Sequence, residues 1–481
     1  MWPFLVASAR GAALAVRVHS ANKLLPLASV SLMTIAFLLV LLASFALALT
    51  SRQRGGDARA FFTAGGQLNT VLYFVLAVGE TYSIGTVLGF PGGVYAKGST
   101  LALWFVGYIL LAFPVGFVLY PRLWRAGRAC GAMTLPDLFR ACFGSILLER
   151  VFALLLMLCL LPLGASQFIG LTTVLAQFDW TLPPDILLLG AALLTFLYIG
   201  ISGLRAPAIV SLLKDFLVLV AIAAVAVAAS LAWPNGAARP LKPALQPLPS
   251  LKGDSFVIST ILVQALGFCV SPPTVASIFA AKSPLSIQRA QIFMPLYMAL
   301  FPLLFIVAGY ALTHTPQPPR PDATFLTAAK ALLPSWGFGL TLAGAALSAL
   351  VVLAGIGLAL AAIVARNLVP HLNDTEQKRW GLVIVACYFV LSALGARHAG
   401  TLLTQLNTLF YLGVSQAVPG ALAIAFDRPV SARRVGMGLA AGISIASVLK
   451  LGDIEIGGIN PALPALLFNM LICFAPSAKK Q

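Results

Sequence analysis

Long apolar runs separated by short polar stretches set the pattern of this chain. Thirteen runs read as spans: about 29–49, 68–90, 100–121, 147–178, 185–203, 207–233, 255–280, 291–313, 336–365, 380–396, 400–426, 434–450 and 459–475. Each reaches the roughly 17 residues a helix needs to cross a bilayer. A membrane β-barrel would instead show segments of about ten residues with alternating polarity. The pattern therefore predicts an all-α polytopic membrane protein with about 13 transmembrane helices, one unit over residues 29–478. Residues 1–28 carry Arg10, Arg17 and Lys23 in weakly apolar sequence. They read as an amphipathic surface helix or an over-long start, and no A-x-A-like site followed by a soluble domain stands there. Proline-rich loops at 234–252 and 314–334 read as stiff, extended connections.

Two runs are interrupted. The stretch Gly79–Tyr95 carries Glu80, Thr81, Tyr82, Ser83 and Thr86, is divided by Gly79, Gly85 and Gly89, and ends on Pro91-Gly92-Gly93. The run 255–280 holds Gly267 and Pro272-Pro273, with Gln264, Ser271 and Thr274 as its polar residues. Backbone freed by a break at membrane depth is tolerated only inside protein or beside a water-filled cavity. Broken helices of this kind place solute and ion sites near the bilayer midplane.

Composition agrees with the pattern. Of 481 residues, 60% are hydrophobic and 9% charged, and the mean hydropathy is +0.97; soluble domains carry roughly 25% charged residues. The net charge of +17 is not a nucleic-acid signal, because the basic residues fall mostly in short loops. Nineteen of the 31 Lys and Arg fall on one side of the alternating spans and eleven on the other, with Arg150 set aside at the start of a span. The richer side is expected in the cytoplasm, which places the N-terminus outside and the C-terminus inside a cytoplasmic membrane. The six cysteines form no C-x-x-C pair, so neither a disulfide framework nor a zinc site is expected. No phosphate-cradling loop, zinc-protease helix or nucleophile elbow is present. The expectation is a protein that is not an enzyme, has no cofactor, and engages the bilayer and a small organic solute, with no nucleic acid and no obligatory protein partner.

Four sets of polar residues lie within the spans. Glu80 is a carboxylate in an apolar run, which points to a direct role with ion, proton or solute; the alternative is a tether for broken-helix backbone. Asp215, next to Lys214 near a span end, reads first as a local ion pair or a snorkelling pair. In Ala345–Asn367, the residues Ala345, Ala346, Ser348 and Ala349 make a small helix surface. Such a surface lets helices approach closely. It also lets the Ser348 hydroxyl and nearby carbonyls, with those of Gly79–Tyr82, hold a hard cation. Gln405, Asn407, Tyr411, Ser415 and Gln416 read mostly as interhelical hydrogen bonding.

Several stretches together resemble the sodium:solute symporter family from about residue 29 onward: FFTAGGQL (Phe61–Leu68), LGFPGGVY, TLPDLFRACFGS (Thr134–Ser145), LPLGASQFIGL, GISGLRAPAIVSLLKD and Ala345–Asn367. GETYS, Pro121–Trp124 and the ARN ending at Asn367 look most like the branch with monocarboxylate uptake permeases. The resemblance implies the leucine-transporter architecture, two inverted five-helix repeats at about 68–233 and 255–426. It implies a cation-coupled symporter, with Na⁺ as the first expected ion, for a small organic solute such as a short monocarboxylate. By position it places a Na⁺ site on the carbonyls of Gly79, Tyr82 and Ala345 and on positions Ser348 and Ala349. It places solute contacts at Glu80, Thr81, Ser83, Thr86, Gln264, Phe268 and Ser271. Ala349 departs from the second hydroxyl of many members, Thr81 from their Asp or Asn, and Pro273 from a histidine. A proton-coupled carrier and a non-cycling solute sensor are the alternatives.

Overall fold

A computed structural model describes residues 26–52, 57–178, 183–233, 251–369, 371–398 and 403–475. The expectations for residues 1–25 and for most of the loop 234–252 lie outside the described residues. Eleven helices among the described residues are long and apolar enough to cross a membrane, and two shorter apolar helices join them, Thr70–Gly79 and Ala462–Phe474. Every one of the thirteen predicted runs holds one of these helices.

The chain begins with α1 (Pro26–Thr50) and a short α2 (Ala58–Thr63). The first broken span follows. Its first half is α3 (Thr70–Thr81), started by Asn69, whose side chain accepts from Leu72 N. A π-turn at Gly85–Gly89 and α4 (Phe90–Lys97) complete it. Then come α5 (Ser99–Cys130), α6 (Leu135–Phe143), α7 (Ile146–Leu175), α8 (Pro184–Ser202) and α9 (Arg205–Ala232). The second broken span is α10 (Leu251–Cys269) and α11 (Pro272–Ala280). Its break lies where the sequence predicts, because Pro272 and Pro273 offer no N–H to the preceding turn.

The next span starts earlier than the predicted 291. Helix α12 (Pro284–Phe293) passes through a 3₁₀ stretch at Met294–Ala299, where Pro295 interrupts the ladder, into α13 (Leu300–His314). A turn at Pro321–Ala323 and α14 (Thr324–Leu332) lead into α15 (Ser335–Ile363). In the α15 span 89% of the most apolar window is buried, against 22–44% in the other spans apart from Leu403–Ala425. Helix α15 is thus the protein's core and not a lipid-facing element. After a π-turn at Val364–Leu368 come α16 (Asp374–His398), α17 (Leu403–Val414), α18 (Val418–Ala425), α19 (Ala432–Leu451) and α20 (Ala462–Phe474).

One end of the bundle is closed by directional contacts. The starts of α3 and the end of α11 are joined by paired main-chain bonds: Leu68 N donates to Ala280 O and Lys282 N to Leu68 O, both at 2.9 Å. The Trp124 indole donates to Ala281 O at 2.9 Å. Beside them the TLPDLFRACFGS stretch forms α6. Thr134 and Asp137 make a reciprocal capping box. Gly144 ends the helix at φ +67, a conformation that glycine adopts without penalty. Asn367, buried in the π-turn after α15, donates to Asp137 Oδ1 at 2.6 Å and Glu149 Oε1 at 2.9 Å, and accepts from the Thr134 hydroxyl at 2.8 Å. Arg366 Nε reaches Asp137 Oδ2 at 2.8 Å and Arg140 reaches Glu149 at 3.2 Å. This end carries the richer set of Lys and Arg.

Candidate functional site

The two breaks face one cavity of about 60 Å³ at the middle of the bundle. From the first broken span Thr81, Ser83, Gly85 and Thr86 line it; from the second, Phe268, Ser271 and Pro273. Helix α3 ends because Tyr82 leaves helical backbone (φ −96, ψ 62) after its N–H bonds Val78 O. The Thr86 hydroxyl then donates to Thr81 O at 2.5 Å, supplying a partner that the broken ladder no longer offers. On the other side the Ser271 and Thr274 hydroxyls share a bond at 2.7 Å. The amino end of α11 opens beside the cavity, with no N–H on its first two residues, Pro272 and Pro273.

The solute set expected from the resemblance is mostly gathered here. Thr81, Ser83, Thr86, Phe268 and Ser271 are in the wall. Gln264 is not: it lies one turn from Phe268, fully buried, with neither amide atom hydrogen-bonded. The side chain of Glu80 lies outside the described residues.

The wall also contains residues that sequence reasoning missed: Phe105 and Tyr108 from α5, Ser166 and Gln167 from α7, and Leu403 and Thr404 from α17. Asn407 and Tyr411, read above as interhelical bonding residues, also face the cavity. That reading holds for Gln416, whose side-chain Oε1 accepts from Asn469 Nδ2 at 3.2 Å, beside a bond from the same nitrogen to its main-chain carbonyl at 2.9 Å. The Tyr108 hydroxyl shares side-chain hydrogen bonds with Asn407 and Tyr411. Thr81 Oγ1, Gln167 Oε1 and Thr404 Oγ1 are buried without a hydrogen-bond partner. Buried polar atoms are normally paired, so this wall has unspent capacity for a polar ligand. No Lys, Arg, Asp or Glu is among the described lining side chains.

None of the expected cation set lines this cavity. Ala345, Ser348 and Ala349 are buried on α15, and the Ser348 hydroxyl donates to Gly344 O at 2.9 Å, leaving its lone pairs open. The Tyr82 side chain turns away and donates to Tyr297 O, so only its backbone belongs to the set. The third element is α9. Lys214 and Asp215 are both buried, with Nζ 2.6 Å from Oδ1. Nine residues into α9, Lys214 lies about 14 Å past its start. It does not snorkel, and although it stands among the nineteen basic residues counted on the richer side, it is not a loop charge.

A Cβ built on Gly79 would stand 3.1 Å from Lys214 Nζ and 3.6 Å from Ser211 Oγ. A Cβ on Gly344 would meet Leu217 at 3.3 Å, while Leu204 shares a cavity of about 20 Å³ with Gly79 and Gly355. Helices α9 and α15 therefore run antiparallel, and Lys214 falls at the level of Ala345–Ser348. Tested against a sodium ion, the set fits poorly: one hydroxyl, an alanine at 349, and an ammonium beside Gly79.

Two broken helices meeting at a buried polar cavity, beside a core helix, define the leucine-transporter architecture of multi-pass membrane carriers. A solved Na⁺-coupled sialic acid symporter, substrate-bound and outward-open, superposes with a TM-score of 0.74 at 15% identity, covering 92% of this chain and 98% of that one. The profile of the sodium:solute symporter family matches residues 61–418, and the chain belongs to that family. It is 26% identical over 454 residues to the uncharacterized symporter YhjB of Bacillus subtilis (strain 168), covering 88% of this chain and 92% of the relative. It is 30% identical over 313 residues to the monocarboxylate transport permease protein of Rhizobium johnstonii, covering 63% of each.

Proposed function

We propose that this chain is a secondary active symporter that takes up a short monocarboxylate together with a coupling cation. The observation that carries the reading is the cavity between the breaks. Its walls offer the unpaired Thr81 and Thr404 hydroxyls beside the amino end of α11, groups that receive a carboxylate without a fixed basic side chain. Size points the same way. At about 60 Å³ it is well under half of the ~150 Å³ cavity that holds benzene, which suits an acid of about two to four carbons. The monocarboxylate permease relative supports the same class. The basic end faces the cytoplasm in this reading, and the membrane is the cytoplasmic one.

Sodium is the coupling ion that the family and the sialic acid symporter bring forward. The buried ammonium beside Gly79 favours a second reading, in which sodium is not bound at the expected place and another gradient drives uptake. The test is uptake of labelled acetate, lactate and benzoate into proteoliposomes, under an inward Na⁺ gradient, a pH gradient, or neither. Gradient-driven uptake of acetate or lactate, with benzoate excluded, is expected. Uptake of none of the three under any gradient refutes the reading.

A further inference from the structure

We propose that the Lys214 ammonium is a tethered cation standing in the position expected for sodium, so that this carrier binds no sodium ion there. The inference rests on the reading that the Gly79–Ser348 region is the cation region of a symporter.

Lys214 is fully buried in the middle of a spanning helix. A buried charge is retained only when neighbours compensate it. Asp215 is one compensator, at 2.6 Å. Yet neighbours in helical sequence do not face each other, and Nζ has no hydrogen bond of good direction to Asp215 or to any other described group. Its remaining N–H donors need oxygen partners nearby. The side chain of a helical residue leans toward the helix start. From Lys214 that lean leads toward Gly79 and Ser211, the groups around Nζ. Helix α3 ends there; of its last four carbonyls those of Val78 and Thr81 keep donors, in Tyr82 N and the Thr86 hydroxyl, while those of Gly79 and Glu80 have lost their helical ones. An ammonium and a sodium ion both ask for this set of backbone oxygens, and the two positive charges repel each other.

Two sequence features agree. Position 79 has little room for a side chain, since a Cβ would stand 3.1 Å from Nζ and the ammonium would have to give way by a few tenths of an ångström. Position 349 is alanine, so the second hydroxyl expected beside Ser348 is missing. A tethered cation makes that second hydroxyl unnecessary.

The experiment is equilibrium ²²Na⁺ binding to the purified full chain, for the wild type, Ser348→Ala, Lys214→Met and Lys214→Met/Ser348→Ala. Expected is no saturable binding by wild type or by Ser348→Ala. Lys214→Met should gain saturable binding at least about tenfold tighter than any in wild type, and Ser348→Ala should weaken that gain. If Lys214→Met does not fold with Asp215 unpaired, Lys214→Met/Asp215→Asn replaces it. Saturable binding by wild type that Ser348→Ala weakens overturns the proposal. So does a folded Lys214 variant that still binds no sodium. Solute uptake by wild type, measured in Na⁺ and in choline medium, keeps the two readings apart. Absence of uptake in both media refutes the transport reading, whereas the binding result alone decides on Lys214.

Discussion

Replacing Asn367 by alanine removes the centre of the clasp at the basic end. Its amide uses both N–H groups, one on Asp137 and one on Glu149, and its carbonyl accepts from Thr134. Two of these bonds are to carboxylates and contribute about 1.5–3 kcal/mol each, and the third about 1 kcal/mol. Asp137 keeps Arg366 and the main-chain donors at Met133 and Thr134, whereas Glu149, buried at 3% exposure, keeps Arg140 alone. Allowing for this partial compensation, the loss should be about 3–5 kcal/mol, at the upper end for single substitutions. Asn367→Asp keeps the shape but adds a third carboxylate. At an effective dielectric of 20, each new like-charge contact near 4 Å costs about 4 kcal/mol. The order of stability at neutral pH is therefore wild type, then Ala, then Asp. Thermal unfolding of purified protein in detergent, followed by the release of native thiols, reads it. A drop of at least about 5 °C for Asn367→Ala is expected, at about 2 °C per kcal/mol. An Asn367→Ala midpoint within 1 °C (about 0.5 kcal/mol) of wild type would show that water or neighbouring arginines replace the amide and that the clasp is not a unit.

Three further outcomes are expected. Burial against the loop pushes the Asp322 carboxyl up to about 6, opposed by the Leu403 backbone and Arg320. The folded state then holds more protons than the unfolded one between about pH 4 and 6. Stability should fall as pH rises through that window, by on the order of 1–3 kcal/mol, and Asp322→Asn should flatten the melting-temperature profile there. In a variant without the other cysteines, Cys142 at the basic end should resist an impermeant thiol reagent added to intact cells, while Lys330→Cys should react; the reverse pattern would invert the orientation. Glu80→Gln should alter coupling or abolish uptake with membrane expression intact, and wild-type uptake with unchanged pH and Na⁺ dependence would leave Glu80 a structural tether.

Span number, the two breaks and the membrane class were legible in the sequence because each is a local property. Twenty apolar residues or a Pro-Pro pair act on their own stretch of backbone wherever the chain later folds. The Thr134–Asp137 capping box found in the structure is local in the same way, closing within four residues. Tertiary structure alone decided who faces whom. Asn367 meets Thr134 across 233 positions, and no periodicity announces that pairing. Tyr108, Gln167 and Thr404 enter the cavity wall because α5, α7 and α17 converge on the breaks, while Gln264, equally polar and closer in sequence to Phe268, turns away. Lys214 is the sharpest case. Beside Asp215 it reads as a charge near a span end. Only the antiparallel packing of α9 against α15, and a side chain long enough to reach Gly79, turn it into a buried cation at the heart of the carrier.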